Sequence, residues 1–228
     1  ATGKFTHFRH DPQNPQSITS DDINALYQDR QGNLWIGTPV GLDLWDLQSD
    51  NFTPFTHDPT NPENLSSNDI SVIYQDLMGN LWVGSDGGLD QFAPETGQFI
   101  HIPLDPNSPN SRYSITSVTE DPAGNLWLGT QSGLIYLDPL TGDYTNITHD
   151  SSDPGSLNDN NVTTVLIDST GTLWVGTGSK GLDRLDPSSD KFIHYTHNPL
   201  LPARLSANDI SEIFADRSGL LWFGVIGG

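Results

Sequence analysis

The chain has 228 residues, with 9 Lys+Arg against 29 Asp+Glu and a formal charge of −20. That balance argues against nucleic acid, a polyanion that needs a basic face, and against an anionic membrane surface. No cysteine is present, which excludes disulfide scaffolds, thiolate metal sites and cysteine nucleophiles. No apolar run reaches the roughly 18 residues that would span a bilayer as a helix, so no direct membrane insertion is expected. Only Glu63, Glu95, Glu120 and Glu212 are glutamates. The other acids are aspartates, which favour turns over helices. With 22 Gly and 16 Pro, the composition describes short elements joined by tight turns.

In chain order, Lys4–Phe8 reads first as an outer strand with no preceding unit. An inner strand is expected near Ile23, followed by the turn Asp29-Arg30-Gln31-Gly32 and by Leu34-Trp35-Ile36-Gly37. A third strand opens at Gly41-Leu42, and a fourth alternates bulky and polar residues. The same order then recurs. Inner strands are expected near Ile70, Ile115, Val162 and Ile210. Turn aspartates stand at Asp76, Asp121, Asp168 and Asp216, each three residues before a glycine. Leu-Trp-x-Gly returns at Trp82, Trp127, Trp174 and Trp222, with tryptophan spacings of 47, 45, 47 and 48 residues. Gly and Pro punctuate every repeat, and no helix is expected in any of them.

Four short strands in a period of about 47 residues are the pattern of a propeller blade. The expected fold is an all-β propeller of five four-stranded blade repeats in a single domain over 1–228, with repeats at about 4–50, 51–97, 98–142, 143–190 and 191–228. The last blade is incomplete. Either Lys4–Phe8 completes it and closes a ring, or the chain is an arc of a larger propeller. An unfinished blade has an open edge, a route to self-association.

Residues present in every repeat serve architecture before chemistry. Asp29, Asp76, Asp121, Asp168 and Asp216 are therefore expected to cap turns, and the five repeated tryptophans to act as wedges between blades. No Gly-x-Ser-x-Gly elbow, His-Glu-x-x-His or P-loop is present. The His7/His10 and His194/His197 pairs read as rim or turn residues. No catalytic residue, metal site or cofactor is expected. A ligand site would lie where loops converge at the entrances of the inner strands: Asp21, Asp22, Asn68, Asp69, Arg112, Tyr113, Asn160, Asn161, Asn208 and Asp209. Amides and carboxylates suit hydroxyls, and an aromatic face suits sugar C–H groups. Arg112 and Tyr113 break the repeat, as do Trp45, Lys180, Arg184 and Arg204.

The motifs Asn-Asp-Ile, Asp-x-x-Gly-Asn-Leu-Trp-x-Gly-Thr and Gly-Leu-Asp-x-x-Asp-Pro together resemble the two-component regulator propeller repeat. The clearest copies are Asp121-Pro122-Ala123-Gly124-Asn125-Leu126-Trp127-Leu128-Gly129-Thr130 and Gly181-Leu182-Asp183-Arg184-Leu185-Asp186-Pro187. The resemblance implies the extracytoplasmic, glycan-sensing region of a bacterial hybrid two-component system, periplasmic or extracellular, with the kinase outside this chain. It implies a non-catalytic ligand-binding sensor whose partner is an oligosaccharide or other small ligand. A structural or protein-interaction scaffold is the alternative, and a propeller lyase or hydrolase a more distant one.

Overall fold

The computed structural model describes residue 3 and residues 5–104, 113–201 and 205–227. Its described residues contain strands and turns but no helix. The chain divides into two compact units, one of residues 1–75 and 79–102, the other of 76–78 and 103–228.

The first unit holds two four-stranded antiparallel sheets. One comprises β1 (Ala25–Gln28), β2 (Leu34–Thr38), β3 (Gly41–Asp46) and β4 (Asn51–Phe55). The second comprises β5 (Ile70–Gln75), β6 (Leu81–Ser85), β7 (Gly88–Ala93) and β8 (Gln98–Ile102). The second unit repeats this with β9 (Ile115–Glu120), β10 (Leu126–Thr130), β11 (Gly133–Leu137) and β12 (Tyr144–Ile147). Its next sheet is β13 (Val162–Ile167), β14 (Leu173–Thr177), β15 (Leu182–Asp186) and β16 (Lys191–Tyr195). Last come β17 (Asp209–Ala215) and β18 (Leu221–Ile226), a two-stranded sheet.

The inner strands begin at or beside the expected residues except the first, which starts at Ala25 because Ile23 stays outside the ladder, half-exposed. A clearer correction concerns the chain's start. Lys4 lies outside the described residues, Phe5–Phe8 form no strand, and β18 pairs only with β17. Phe8 instead packs edge-on against Trp45 and Phe52 of the first sheet, with ring centroids 5.7 and 5.4 Å apart. Apolar contact with β3–β4 side chains is what seats Phe8 there.

Each sheet has two unlike faces, because strand side chains alternate. Within each unit, one face of a sheet carries the Leu-Trp-x-Gly tryptophan, which packs on the facing side of the sheet that follows it. In the first unit Trp35 packs among Ile73, Leu81, Val83 and Phe99 of the second sheet, with Phe92 edge-on at 5.0 Å. In the second unit Trp174 packs with Ile210, Ile213 and Phe223 of the two-stranded sheet. The motif glycine permits this approach. A Cβ on Gly37 would lie 2.7 Å from the Ile70 side chain, and one on Gly176 2.7 Å from that of Ile210.

The turn aspartate does more than cap. Asp29 accepts the Asn33 backbone N–H at 2.8 Å with one oxygen and the Trp35 indole N–H at 2.9 Å with the other. Asp168 and Trp174 repeat the indole bond at 2.8 Å, and Asp216 and Trp222 at 3.0 Å. In the third sheet the Tyr136 hydroxyl donates to Asp121 at 3.2 Å. Burial alone would raise the Asp29 and Asp168 carboxyls, but these bonds outweigh it and hold both below the ordinary value. Asp216, bonded by Ser218 and Trp222, falls to about 2.

Trp82 is 2% exposed and Trp222 59%. Urea unfolding of dilute protein should show Trp82→Ala losing about 3–5 kcal/mol and Trp222→Ala less than about 1 kcal/mol. The lowered aspartates contribute stability that is present above their unfolded value near 4 and disappears as pH falls through the folded ones. The thermal midpoint should therefore decline steadily from about pH 4 to pH 2, and Asp29→Asn should flatten that decline.

Candidate functional site

The segments that carry the chain into each inner strand share one hydrogen-bond pattern. The backbone N–H of His10, His57, His149 and His197 donates to the side-chain oxygen of Asp21, Asn68, Asn160 and Asn208, at 2.8, 2.7, 2.7 and 2.6 Å. The Nδ1 of each imidazole faces a main-chain carbonyl, that of Ile18, Leu65, Leu157 or Leu205. A ring nitrogen bonded to a carbonyl must carry the proton. These histidines are loop fasteners, as a turn role predicts. Asp21, Asn68, Asn160 and Asn208 are thereby already engaged as caps.

The other predicted residues are more available. Asp69 accepts the Asn24 amide at 3.1 Å, a tie between the first two inner strands. The Asp22 backbone N–H donates to Ser20. The Tyr113 hydroxyl faces the Asn146 amide on β12, the outer strand of its sheet, at 3.5 Å, away from the inner-strand entrances. Arg112 lies outside the described residues. In the second unit the β14–β15 hairpin tip joins two entrances: Gly178 N–H donates to the Asn161 carbonyl and Gly181 N–H to the Asn208 carbonyl, at 3.0 and 2.8 Å. Beside them Ser179 donates to Asp159 at 2.6 Å, and the Asn158 amide to the Lys180 carbonyl at 2.8 Å. Asn160, Asn161, Asn208 and Asp209 are thus brought onto one polar rim with Asp159, Ser179 and Lys180. Such a rim offers donors and acceptors to a hydroxylated ligand.

A second set of polar groups was not singled out from the sequence. The aspartates of Gly-Leu-Asp, namely Asp43, Asp90 and Asp183, are fully buried. Asp90 accepts from Ser66 through one oxygen and from His101 Nδ1 at 2.6 Å through the other. Asp183 accepts from Asn158 N–H and, at 2.7 Å, from His194 Nδ1. Burial alone would lower His194, but its bonds to Asp183 and to the Pro154 carbonyl raise it. His194 is therefore not a rim residue but a buried carboxylate's partner. The cross-strand register explains the pairing, since His101 stands opposite Asp90 and His194 opposite Asp183. In the first sheet Pro54 occupies that position opposite Asp43. Asp43 Oδ2 accepts both Thr19 groups, at 3.0 and 2.6 Å, while Oδ1 is buried without a partner. Burial raises this carboxyl above its ordinary value, against the opposing Thr19 bonds and His10.

The first sheet also bears a cleft of about 360 Å³ whose lining includes Leu26, Leu34, Ile36, Trp45 and Phe52. The Trp45 indole N–H is buried without a partner. Arg184, another residue outside the repeat pattern, places its guanidinium 5.9 Å from the Trp174 ring centroid; Arg204 lies outside the described residues.

A family profile described as two-component regulator propeller matches residues 17–39, 109–132 and 156–179. The chain carries two-component regulator propeller repeats. The propeller-repeat chain is similar to the extracellular domain of BT4673 from B. thetaiotaomicron, described as a one component or hybrid two component system. One such structure is 28% identical over 93% of this chain at a TM-score of 0.77; another is 27% identical over 92% at 0.75. Virginiamycin B lyase from Staphylococcus aureus, 14% identical over 89% of this chain and 62% of its own at a TM-score of 0.64, shares the fold alone. The propeller-repeat chain spans 27% of each BT4673 chain. No curated protein sequence matches it.

Supplying the missing partner of Asp43 should strengthen the first sheet. Pro54→His is expected to raise stability by about 1 kcal/mol, read from the urea midpoint near neutral pH. A fall would show that the proline's rigidity outweighs the recovered bond.

Proposed function

We propose that this chain is part of the extracytoplasmic sensor region of a bacterial two-component signalling protein, periplasmic or extracellular, and binds a hydroxyl-rich small ligand such as an oligosaccharide without turning it over. The observation that carries this reading is the combination of three family matches with 28% identity, over 93% of the chain, to an extracellular domain of such a system. The polar rim of the second unit supports a ligand role: Asn161, Asp209 and Lys180 lie around the β14–β15 tip, and hydroxyl recognition needs a few fixed polar groups of this kind. The buried Asp–His pairs do not suit catalysis, because each carboxylate is enclosed between strands and fully engaged with the backbone and one imidazole.

Titration calorimetry of the chain against a panel of neutral and acidic oligosaccharides tests the reading. One class should bind, and the double variant Asn161→Ala, Asp209→Ala should weaken that binding by about tenfold or more with an unchanged unfolding midpoint. Silence across the panel would favour an interaction scaffold, and turnover of a bound sugar would favour an enzyme.

A further inference from the structure

One imidazole of the second unit differs from the others in how many protons its bonds require. His149 and His197 each engage one ring nitrogen, Nδ1, with the carbonyl of Leu157 or Leu205. A neutral imidazole keeps one N–H, so those bonds form whether or not the ring is charged. His194 engages both nitrogens with acceptors: Nδ1 with the Asp183 carboxylate at 2.7 Å and Nε2 with the Pro154 carbonyl at 2.9 Å. Both nitrogens must then carry hydrogen, and the ring is an imidazolium. A neutral His194 would have one N–H for two acceptors, and one bond would become a repulsion between lone pairs.

A chain of hydrogen bonds runs from this imidazole to the polar rim. Asp183 is fully buried. Its Oδ1 takes His194, and its Oδ2 accepts the Asn158 backbone N–H at 2.8 Å. The Asn158 side-chain amide donates to the Lys180 carbonyl at 2.8 Å, and the adjacent Asp159 accepts from Ser179 at 2.6 Å. Pro154 lies on the same entrance segment, four residues before Asn158. Two other ties join that segment to β16: Phe192 N–H donates to the Gly155 carbonyl at 2.8 Å, and Lys191 pairs with Asp153. The segment therefore stays seated when His194 loses its proton, while the bonds at Pro154 and Asp183 readjust.

We propose that His194 is a pH-sensitive latch for the polar rim: the imidazolium holds the entrance segment and Asp183 in the arrangement that fixes Asn158 and Asp159 against the β14–β15 tip, and loss of its proton loosens that arrangement. The consequence for ligand affinity rests on the reading of the rim as the ligand site; the latch itself does not. On β15, Asp183 faces His194, whereas Arg184 stands opposite Ile193 and projects to the other side of the sheet. The entrance segment brings Asp150, Asp153, Asp159 and His149, the hairpin tip Lys180, and β16 itself Lys191. Of these groups and His194, only the imidazoles change charge between about pH 6 and 8, and only the His194 bonds need a second proton. Burial alone would lower His194, but its bonds to Asp183 and Pro154 outweigh burial and raise it above the ordinary 6.5. The latch's contribution is therefore complete below about pH 6.5 and is lost as pH climbs through the folded value.

Nitrogen-15 NMR of the histidine rings and backbone amides of the 228-residue chain, from about pH 5.5 to 9, tests the proposal. His194 should show two protonated ring nitrogens at the acid end and titrate above 6.5. The Asn158, Ser179 and Lys180 amides should shift with the same midpoint. In His194→Gln, which has no ring proton to lose, those amides should hold still across the range. Affinity for a sugar of the oligosaccharide panel should fall by about threefold or more across the midpoint in the wild type and stay level in His194→Gln. If no sugar binds, the reading of the rim as a ligand site fails, and the shared NMR midpoint still decides the latch. A His194 ring with one protonated nitrogen near pH 6, rim amides that ignore its titration, or rim amides that follow His149 or His197 instead would each overturn the proposal.

Discussion

The structure depends on a bond between a turn and a ring. An aspartate three residues before the turn glycine accepts both the turn's backbone and, in the first, fourth and fifth sheets, the indole N–H of the tryptophan six residues on. Without that acceptor, an indole placed between two sheets would strand a buried donor. With it, the ring brings its whole apolar surface to the next sheet and its one polar atom stays satisfied. The third sheet keeps the aspartate but engages it with the Tyr136 hydroxyl, so the acceptor persists while the donor changes. The motif glycine completes the arrangement by letting the neighbouring inner strand approach where any side chain would collide.

Much of this fold was legible because each repeat states it again. Period, strand order and turn position follow from the spacing of Trp35, Trp82, Trp127, Trp174 and Trp222, and the architectural reading of the turn aspartates follows from their recurrence. The bond from aspartate to indole was not legible. It joins residues six apart across a turn, and nothing in residue type alone distinguishes a carboxylate that caps from one that also reaches a ring. The Phe5–Phe8 segment was misread for a related reason: alternation suggests a strand but does not name its partner, and here apolar contact with Trp45 and Phe52 decides the outcome.

The candidate site was legible in place but not in availability. Asp21, Asn68, Asn160 and Asn208 do stand at the inner-strand entrances, yet their side-chain oxygens hold the histidine loops. Local hydrogen bonding of this kind competes with ligand binding for the same lone pairs. Likewise the buried aspartates of Gly-Leu-Asp could have been found by pairing each with the histidine of the following strand. That signal was present for Asp90 with His101 and Asp183 with His194, and its interruption at Pro54 marks Asp43 as different.

The two unlike faces of each sheet also bear on how such chains change length. A copied repeat spliced between two others meets a receiving face on one side and offers a tryptophan on the other, so gene duplication adds or removes whole units without inventing a new contact. A substitution within one repeat has no such freedom. Its partner residues lie in the adjacent copy, so Gly37 is constrained by Ile70 and Gly176 by Ile210. Selection on this architecture therefore acts on neighbouring copies as pairs: the number of units is loosely held, while the seam between any two is not.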